Sequence, residues 1–288
     1  MKKFGRSYRL TIDPKDGGDL IVLTLPLTIN FTVEKHNLSD QNTCNIEVYN
    51  LSENLRNRIF KDRYNINVRR TIVFEIGYEY LTTVFKGDIW EASSARQGTD
   101  IITMIESRDA NVDVISTTIS ETYSSGKTME DMFKFLIGKF PNLSVGGIGD
   151  FGPAPLRPIT VNGNVWEIIK RYSQSQCFIE DGKVYVMKNN EYIDTEVAVL
   201  GVETGLLDTP RRDETFLTVT TLLEPGIRLM QLAELKSLIL PVYNAKRQVV
   251  GVTHQGTISA SVGGACRSIF SLNLGSEVFG KAVPVEQL

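Results

Sequence analysis

Three short stretches of the chain contain residue types that, at the right spacing, bind nucleotides or metals. Ser125-Gly126-Lys127-Thr128 resembles the end of a phosphate-binding loop. The position that should hold the upstream glycine is Glu121, whose carboxylate would repel phosphate. Thr128 followed three residues later by Asp131 is instead typical of a helix N-cap. This string predicts the start of a helix and no nucleotide site.

The second stretch, Gly147-Ile148-Gly149-Asp150-Phe151-Gly152, has the spacing of a dinucleotide-binding turn. Such a turn must lead into a helix that holds the pyrophosphate, but Pro153-Ala154-Pro155 follows here. The same stretch spells a kinase metal-binding triplet, yet no kinase catalytic loop precedes it. We therefore predict a Gly/Pro-rich loop over residues 145–158.

The third stretch contains His254, which alternates with Val250 and Val252 and is predicted to be a buried strand histidine. Asp109 and Asp113 stand near the end of a predicted strand and are expected to be solvated. Neither carboxylate has a partner at a spacing that indicates acid–base chemistry.

The cysteines do not have the spacing of a disulfide framework or a metal site. Cys44, Cys177 and Cys266 are far apart, so they are predicted to be small buried side chains and neither a disulfide framework nor a zinc site. The sequence thus nominates no catalytic residue, no cofactor-binding residue and no metal ligand, and we expect a protein that is not an enzyme.

Composition indicates an ordinary globular protein. Of 288 residues, 42% are hydrophobic and 23% charged, and the net charge is −3. This is ample for a real core and unlike a surface that coats nucleic acid. No apolar run reaches the ~20 residues of a membrane helix, and the N-terminus lacks the apolar segment of a signal peptide. We expect no membrane anchor.

Hydrophobic periodicity predicts a mainly β protein with an α+β insertion. Residues 1–117 are predicted to form a β-domain that is a barrel or bent sandwich. It contains a hairpin over 6–34, strands over 43–49, 71–80, 82–93 and 99–109, and a short helix after Tyr49. Residues 118–195 are predicted to form a small α+β domain with two amphipathic helices and a hairpin that turns at Asp181-Gly182. Residues 196–288 are predicted to form a second β-domain, with strands over 214–225, 235–259 and 266–274 and an exposed tail over 275–288.

The corner between strand 43–49 and the following helix has a distinct pattern. Asn50 is predicted to cap the helix, with Glu53 reaching back, and Leu51, Leu55 and Ile59 lie four residues apart on one face. Basic residues surround the corner, and they predict a charged interaction face. They are Arg56, Arg58, Lys61, Arg63, Arg69 and Arg70.

The order of these motifs resembles that of a known family. IEVYNLSENLRNRIFKDRY over 46–64 is followed by RTIVFEIGY over 70–78 and VFKGDIWEASSARQGTDIIT over 84–103. TGLLDTP over 204–210 and VVGVTHQG over 249–256 follow later. Together they resemble baseplate hub proteins of contractile-tailed bacteriophages, the tail-tube-like hub family. The family's plan is two tail-tube-like β-domains, matching the two β-rich regions that flank residues 118–195.

The resemblance implies a structural protein of the virion that is assembled in the host cytoplasm. It implies a homotrimer whose six tube-like domains form a pseudo-sixfold ring. That ring joins the hexameric tail tube, or a distal tube ring protein, to the trimeric central spike protein, and it lines a channel through which DNA passes without specific binding. The tape measure protein and the baseplate wedge are further candidate partners.

On this interpretation the corner after strand 43–49 is a candidate subunit interface. We expect Asn50, Leu51, Leu55, Arg56 and Ile59 to contact an adjacent subunit or the tube ring. The alternatives within the structural class are another tail-tip or tube adaptor and the hub of a non-phage contractile injection system. From other classes, a tail-tip enzyme that degrades cell wall or carbohydrate and a carbohydrate-binding module using Trp90, Trp166 and Tyr80 stay open.

Overall fold

The chain folds mainly into β-strands, as a computed structural model shows for residues 4–38, 41–65, 68–124, 128–153, 157–260, 263–275 and 279–285. Strands make up 48% of the structure and helices 14%. This confirms the predicted fold class. The buried apolar side chains form three clusters, which follow one another along the chain with some exchange at their borders.

The first unit is a curled antiparallel sheet whose inward side chains share one core. Ile29, Phe31 and Val33 point inward and face Cys44, Ile46 and Val48 on the next strand, in the alternation that the sequence predicts. Its elements are β1 (Ser7–Asp13), β2 (Ile21–Thr24), β3 (Ile29–His36), β4 (Thr43–Tyr49), α1 (Glu53–Ile59), β5 (Thr71–Gly77), β6 (Leu81–Gln97) and β7 (Asp100–Arg108).

The middle unit packs two amphipathic helices against short strands. Trp166 is 4% exposed and belongs to the core of this unit, so it is not available to a carbohydrate ligand. The elements are α2 (Asn111–Ser116), β8 (Thr118–Tyr123), α3 (Met129–Ile137), β9 (Ser144–Ile148), β10 (Ile159–Asn164), α4 (Val165–Ser173), β11 (Cys177–Glu180) and β12 (Lys183–Val186).

The third unit returns to long antiparallel strands. β18 and β19 carry its core, with Val252, Phe270 and Leu272 fully or almost fully buried. The strands are β13 (Tyr192–Ile193), β14 (Ala198–Gly201), β15 (Arg211–Arg212), β16 (Phe216–Leu222), β17 (Leu232–Lys236), β18 (Lys246–Ile258), β19 (Cys266–Asn273) and β20 (Ala282–Val283).

One sheet runs through the first and third units. β18 pairs antiparallel with β3, from Gly251 opposite His36 to Ile258 opposite Ile29. The strand order is β15-β16-β19-β18-β3-β4-β7-β6-β5-β1-β2, with β17 and β14 branching from β18. The two β-rich regions are therefore joined by backbone hydrogen bonds. Boundaries at residues 117 and 195 stay a prediction.

Four local predictions were wrong. The second limb of the 6–34 hairpin is two strands, β2 and β3, separated by a turn. Residues 144–148 form β9, paired in parallel with β12, where we predicted a loop. The tail is not simply exposed, because Ala282–Val283 pairs with β13 and buries Val283. Residues 237–245 interrupt the predicted strand 235–259, since Pro241 has no N–H for a ladder and begins a 3-10 turn.

Candidate assembly surfaces and the junction of the units

The corner that the sequence marks as an interface is capped differently from the prediction. Ser52, not Asn50, caps α1. Asn50 adopts a left-handed conformation with φ 58° and ties the corner to β7. Its side chain donates to Asp100 Oδ1 at 2.8 Å and accepts from the Ile101 amide at 3.0 Å. Asparagine tolerates this conformation better than most residues, so Asn50 sets the turn that ends β4.

The apolar side of the corner is mostly part of the core. Leu51 is 5% exposed and Ile59 is fully buried, while Leu55 packs against the same cluster. Leu51 and Ile59 are therefore not free to contact another subunit, which corrects their place in the predicted interface. Asn50 is exposed and Arg56 half-buried, and with Phe60, 56% exposed, they form the accessible part of the corner.

The basic cluster around the corner is largely paired within the chain. Arg58 Nε donates to Asp16 at 2.8 Å, Arg63 pairs with Glu91, and Arg69 bridges Asp88 and Asp113 at 2.8 and 2.9 Å. Lys61 is buried and donates to a backbone carbonyl. The predicted charged interaction face is thus wrong in its main feature, because these cations are paired within the chain, and Arg69 also ties the first unit to α2 of the middle unit. Asp113 is correspondingly buried and not solvated.

The motif look-alikes have structural roles. Thr128 and Asp131 form a reciprocal capping box at the start of α3, as predicted, while Ser125, Gly126 and Lys127 lie outside the described residues.

His254 is 2% exposed, and its Nδ1 lies 2.8 Å from Ser268 Oγ. Burial lowers the pKa of His254 to about 3, so the ring is neutral near pH 7. This agrees with the prediction of a satisfied strand histidine. All the cysteines are buried free thiols.

An ionic cluster that sequence reasoning missed joins the three units. We call it the junction cluster: Lys35, Asp109, Glu180, Asp181 and Arg228. The Lys35 ammonium lies 2.9 Å from Asp181 Oδ2 and 3.4 Å from Glu180 Oε1. Burial lowers the pKa of Lys35, but the two carboxylates outweigh it and raise the pKa to about 12. Lys35 is therefore held as a cation, although it is only 5% exposed.

The other members of the junction cluster bring in the third unit and the end of β7. Arg228 donates to Glu180 Oε2 at 3.3 Å and to the Tyr185 hydroxyl at 2.9 Å. Asp109 Oδ2 accepts from the Asp181 amide at 3.0 Å. Asp109 Oδ1 is buried without a hydrogen-bond partner, and burial, with the Asp181 charge, raises the pKa of Asp109 to about 8. Asp109 is therefore mostly protonated at neutral pH. Its burial contradicts the prediction that it is solvated.

Only part of this cluster had a sequence signal. Lys35 continues the inward alternation of Ile29, Phe31 and Val33, so its burial could have been predicted. Its partners are 145 and 146 residues away, and nothing in their spacing indicates the contact.

The outward face of the continuous sheet is polar across the boundary between the first and third units. One row of facing residues runs over five strands, Arg267–Gln255–Thr32–Asn45–Glu106. In the next row Thr257 donates to Asn30 at 2.7 Å, and Asn30 donates to Glu47 at 3.0 Å. This hydrogen-bonded face suits contact with water and not burial in a core.

Within the ranges of the chain that the structure describes, no three or more His, Cys, Asp or Glu side chains are grouped so that they could hold a metal ion. In the same residues no helix is long and apolar enough to cross a membrane.

Solved structures that share this fold include two tail proteins and a type VI secretion-system component. The 43 kDa tail protein of prophage MuSo2 from Shewanella oneidensis superimposes with a TM-score of 0.62 at 10% identity, covering 92% of this chain and 96% of its own. A tail protein from Neisseria meningitidis superimposes with a TM-score of 0.59 at 10% identity, covering 94% of this chain and 97% of its own. A type VI secretion component from E. coli superimposes with a TM-score of 0.57 at 11% identity, covering 89% of this chain and 76% of its own. That component is described as similar to T4 bacteriophage tail proteins gp27 and gp5. No curated protein sequence matches significantly.

The fold is therefore that of phage tail proteins. The sequence also matches the baseplate hub gp41 family over residues 8–254. The chain belongs to this family, so it is a structural component of the phage tail baseplate, as the sequence resemblance predicts.

Proposed function

We propose that the chain forms a homotrimeric ring that joins the tail tube to the central spike and lines the channel for DNA exit. The observation that carries this proposal is the single sheet through two β-rich units, which gives each copy two ring-forming segments. Three copies then present six segments, so one face can match a sixfold tube and the other a threefold spike. The protein acts through its surfaces and not as an enzyme.

The polar outward face of the sheet is the proposed channel lining. Glu34, Glu47 and Glu106 lie on it among Thr, Asn and Gln side chains, with Arg267 at the β19 end of the row. A channel that passes DNA must not retain it, and neutral or acidic side chains avoid the counterion release that drives DNA binding. The face therefore favours the passage of DNA over its binding.

The partners in this proposal are the tail tube or a distal tube ring protein, the central spike, and as further candidates the tape measure protein and the baseplate wedge. The likeness to a secretion component described as similar to gp27 and gp5 supports a contact with a spike. Assembly of the virion tail in the host cytoplasm is part of the same proposal. The accessible corner at Asn50 and Arg56 is a proposed contact with a neighbouring subunit or the tube.

Electron-microscopy class averages of the purified protein test the proposal. We expect a threefold particle with six lobes around an open centre. Purified protein mixed with the spike protein should bind it at one face of the ring. A monomer at all concentrations, or a ring with six copies, would contradict the trimeric hub.

A further inference from the structure

The first and third units repeat one arrangement of five antiparallel strands. Across the sheet the order is β3-β4-β7-β6-β5 in the first unit and β15-β16-β19-β18-β17 in the third. The chain passes through each set in the same sequence of steps. The bulges coincide as well, because Trp90 is the extra residue of β6 and Val250 is the extra residue of β18. Each of these strands in the first unit therefore has a counterpart in the third.

Facing side chains match across this repeat. When the two bulges are aligned, Ser94 is the counterpart of His254, and Thr103 is the counterpart of Ser268. Ser94 Oγ lies 3.0 Å from Thr103 Oγ1, and His254 Nδ1 lies 2.8 Å from Ser268 Oγ. A cross-strand hydrogen bond thus occurs at the same place in both units, which supports the alignment.

The counterparts β6 and β18 differ in what covers one of their edges. On the edge of β18 away from β19, β17 pairs with the start of the strand and β3 with the rest. On the same edge of β6, β5 pairs with the start of the strand as far as Asp88, and a single bridge follows between Lys61 and Ala92. Within the described residues no strand pairs with residues 93–97 on that edge. We call residues 93–97 the free edge of β6.

The counterpart of β3 also has a free edge. β15 is the last strand of the sheet and pairs only with β16. In the same alignment Arg212 is the counterpart of Val33. Val33 lies fully buried opposite His254, whereas Arg212 and Ser94 are exposed. The chain therefore has one complete pairing of this kind, β18 with β3, and the two separate halves of a second.

We propose that the free edge of β6 in one copy pairs antiparallel with β15 of the next copy, as β18 pairs with β3 within the chain. A second copy is the partner because the same chain has both unpaired edges, and each is the counterpart of a strand that is paired. A contact between two different edges is head-to-tail, and it closes into a ring when the rotation between copies allows. This inference rests on the proposed trimer and names the strands that join its copies.

The pairing within the chain sets the register between copies. Ser94 of one copy faces Arg212 of the next, and Ala95 faces Arg211 of the next. The small side chains of Ser94 and Ala95 leave room for the long arginine side chains. In a pairing of β15 with β15 of another copy, arginines face arginines, and like charges directly opposite each other are destabilising. The arginines therefore favour the head-to-tail contact over a symmetric one.

Cysteine pairs test this register. Facing Cα atoms in an antiparallel pair lie about 4.5 or about 5.5 Å apart, and a disulfide spans either distance. After mild oxidation, Ser94→Cys with Arg212→Cys, or Ala95→Cys with Arg211→Cys, should give linked dimers and trimers on a non-reducing gel. Each single variant should stay unlinked, because the native cysteines are buried. Ala95→Cys with Arg212→Cys is the matched control, since its thiols lie on opposite faces of the sheet.

A charge exchange tests the contact without a covalent bond. Ser94→Arg places like charges opposite each other, so mass photometry should give mainly monomers, and circular dichroism should show a folded chain. Adding Arg212→Glu to Ser94→Arg should restore the trimers. Ser94→Glu is the matched control, because it changes the same exposed position but places opposite charges in contact, so its trimers should persist.

The outcomes separate this contact from the proposed hub. The contact is overturned, with the hub intact, if the parent forms trimers and neither facing cysteine pair links, or if the control pair links equally well. A folded Ser94→Arg variant that stays trimeric, or a defect that Arg212→Glu does not repair, also overturns it. A parent protein that never trimerises, or linked products of more than three copies, would instead overturn the trimeric hub.

Discussion

The Lys35 ammonium lies 2.9 Å from the Asp181 carboxylate, although Lys35 is in β3 of the first unit and Asp181 is in the β11–β12 turn of the middle unit. Glu180, next to Asp181, contacts Arg228 of the third unit. One buried ionic cluster therefore touches all three units. Because a buried charge is stable only beside its partners, the relative placement of the units depends on this cluster.

Removing the Lys35 charge should be strongly destabilising. We expect Lys35→Met to lower the free energy of unfolding by ~3–5 kcal/mol, because it leaves Asp181 without the cation that it contacts and leaves Glu180 with Arg228 alone. The measurement is equilibrium urea unfolding. Arg58→Met is the control: its ion pair with Asp16 is exposed to solvent, so its loss should lower the free energy of unfolding far less. Equal losses in both variants would show that the junction cluster has no special role.

Asp109 should make stability depend on pH in the neutral range. Its folded pKa of about 8 lies above the unfolded value of ~3.9. Its stabilising contribution is complete below the unfolded pKa and is lost as pH rises through about 8. We expect Asp109→Asn, which keeps an oxygen for the Asp181 amide, to gain stability relative to the parent as pH rises from about 4 to about 8, with no further gain above that. Parallel stability curves for the two proteins would contradict the buried neutral carboxyl.

His254 should make the free energy of unfolding depend on pH in the acid range, with the opposite sign. Its folded pKa of about 3 lies below the unfolded value of ~6.5, so its contribution is full above the unfolded pKa and is lost as pH falls. The stability advantage of the parent over His254→Gln should shrink by about 1.4 kcal/mol for each pH unit below ~6.5. Urea unfolding at several pH values measures it. An advantage that stays constant would mean that His254 is solvated.

Two substitutions in the corner after β4 should distinguish a core residue from a residue of the proposed interface. Ile59→Ala should lower the free energy of unfolding by ~2–5 kcal/mol, because Ile59 is fully buried, and it should leave assembly unchanged under conditions where the protein is folded. On the proposed interface, Arg56→Glu should weaken the trimer while the protein stays folded. Mass photometry with thermal unfolding measures both. A folded Arg56→Glu variant with parental assembly would exclude Arg56 from the interface.

The sequence by itself determined the mainly β fold, most elements and the family. Alternation over Ile29–Val33 and Cys44–Val48 and the helical spacing of α3 and α4 are local patterns, and local patterns are what period-based reasoning detects. The capping box at Thr128 and the buried His254 followed in the same way. The motif order over residues 46–103 was enough to indicate the baseplate hub family.

Only the tertiary structure decided which surfaces are free. Leu51 and Ile59 have the pattern of an exposed apolar face, but the curled sheet closes over them, so they became core. The basic cluster found acidic partners on neighbouring strands, and residues 238–242 became an exposed loop because Pro241 and the Ser237–Asn244 pair interrupt the strand. The pairing of β3 with β18 and of Lys35 with Asp181 joins residues more than a hundred positions apart. Contacts at that range depend on how the units pack, and spacing along the chain does not determine them.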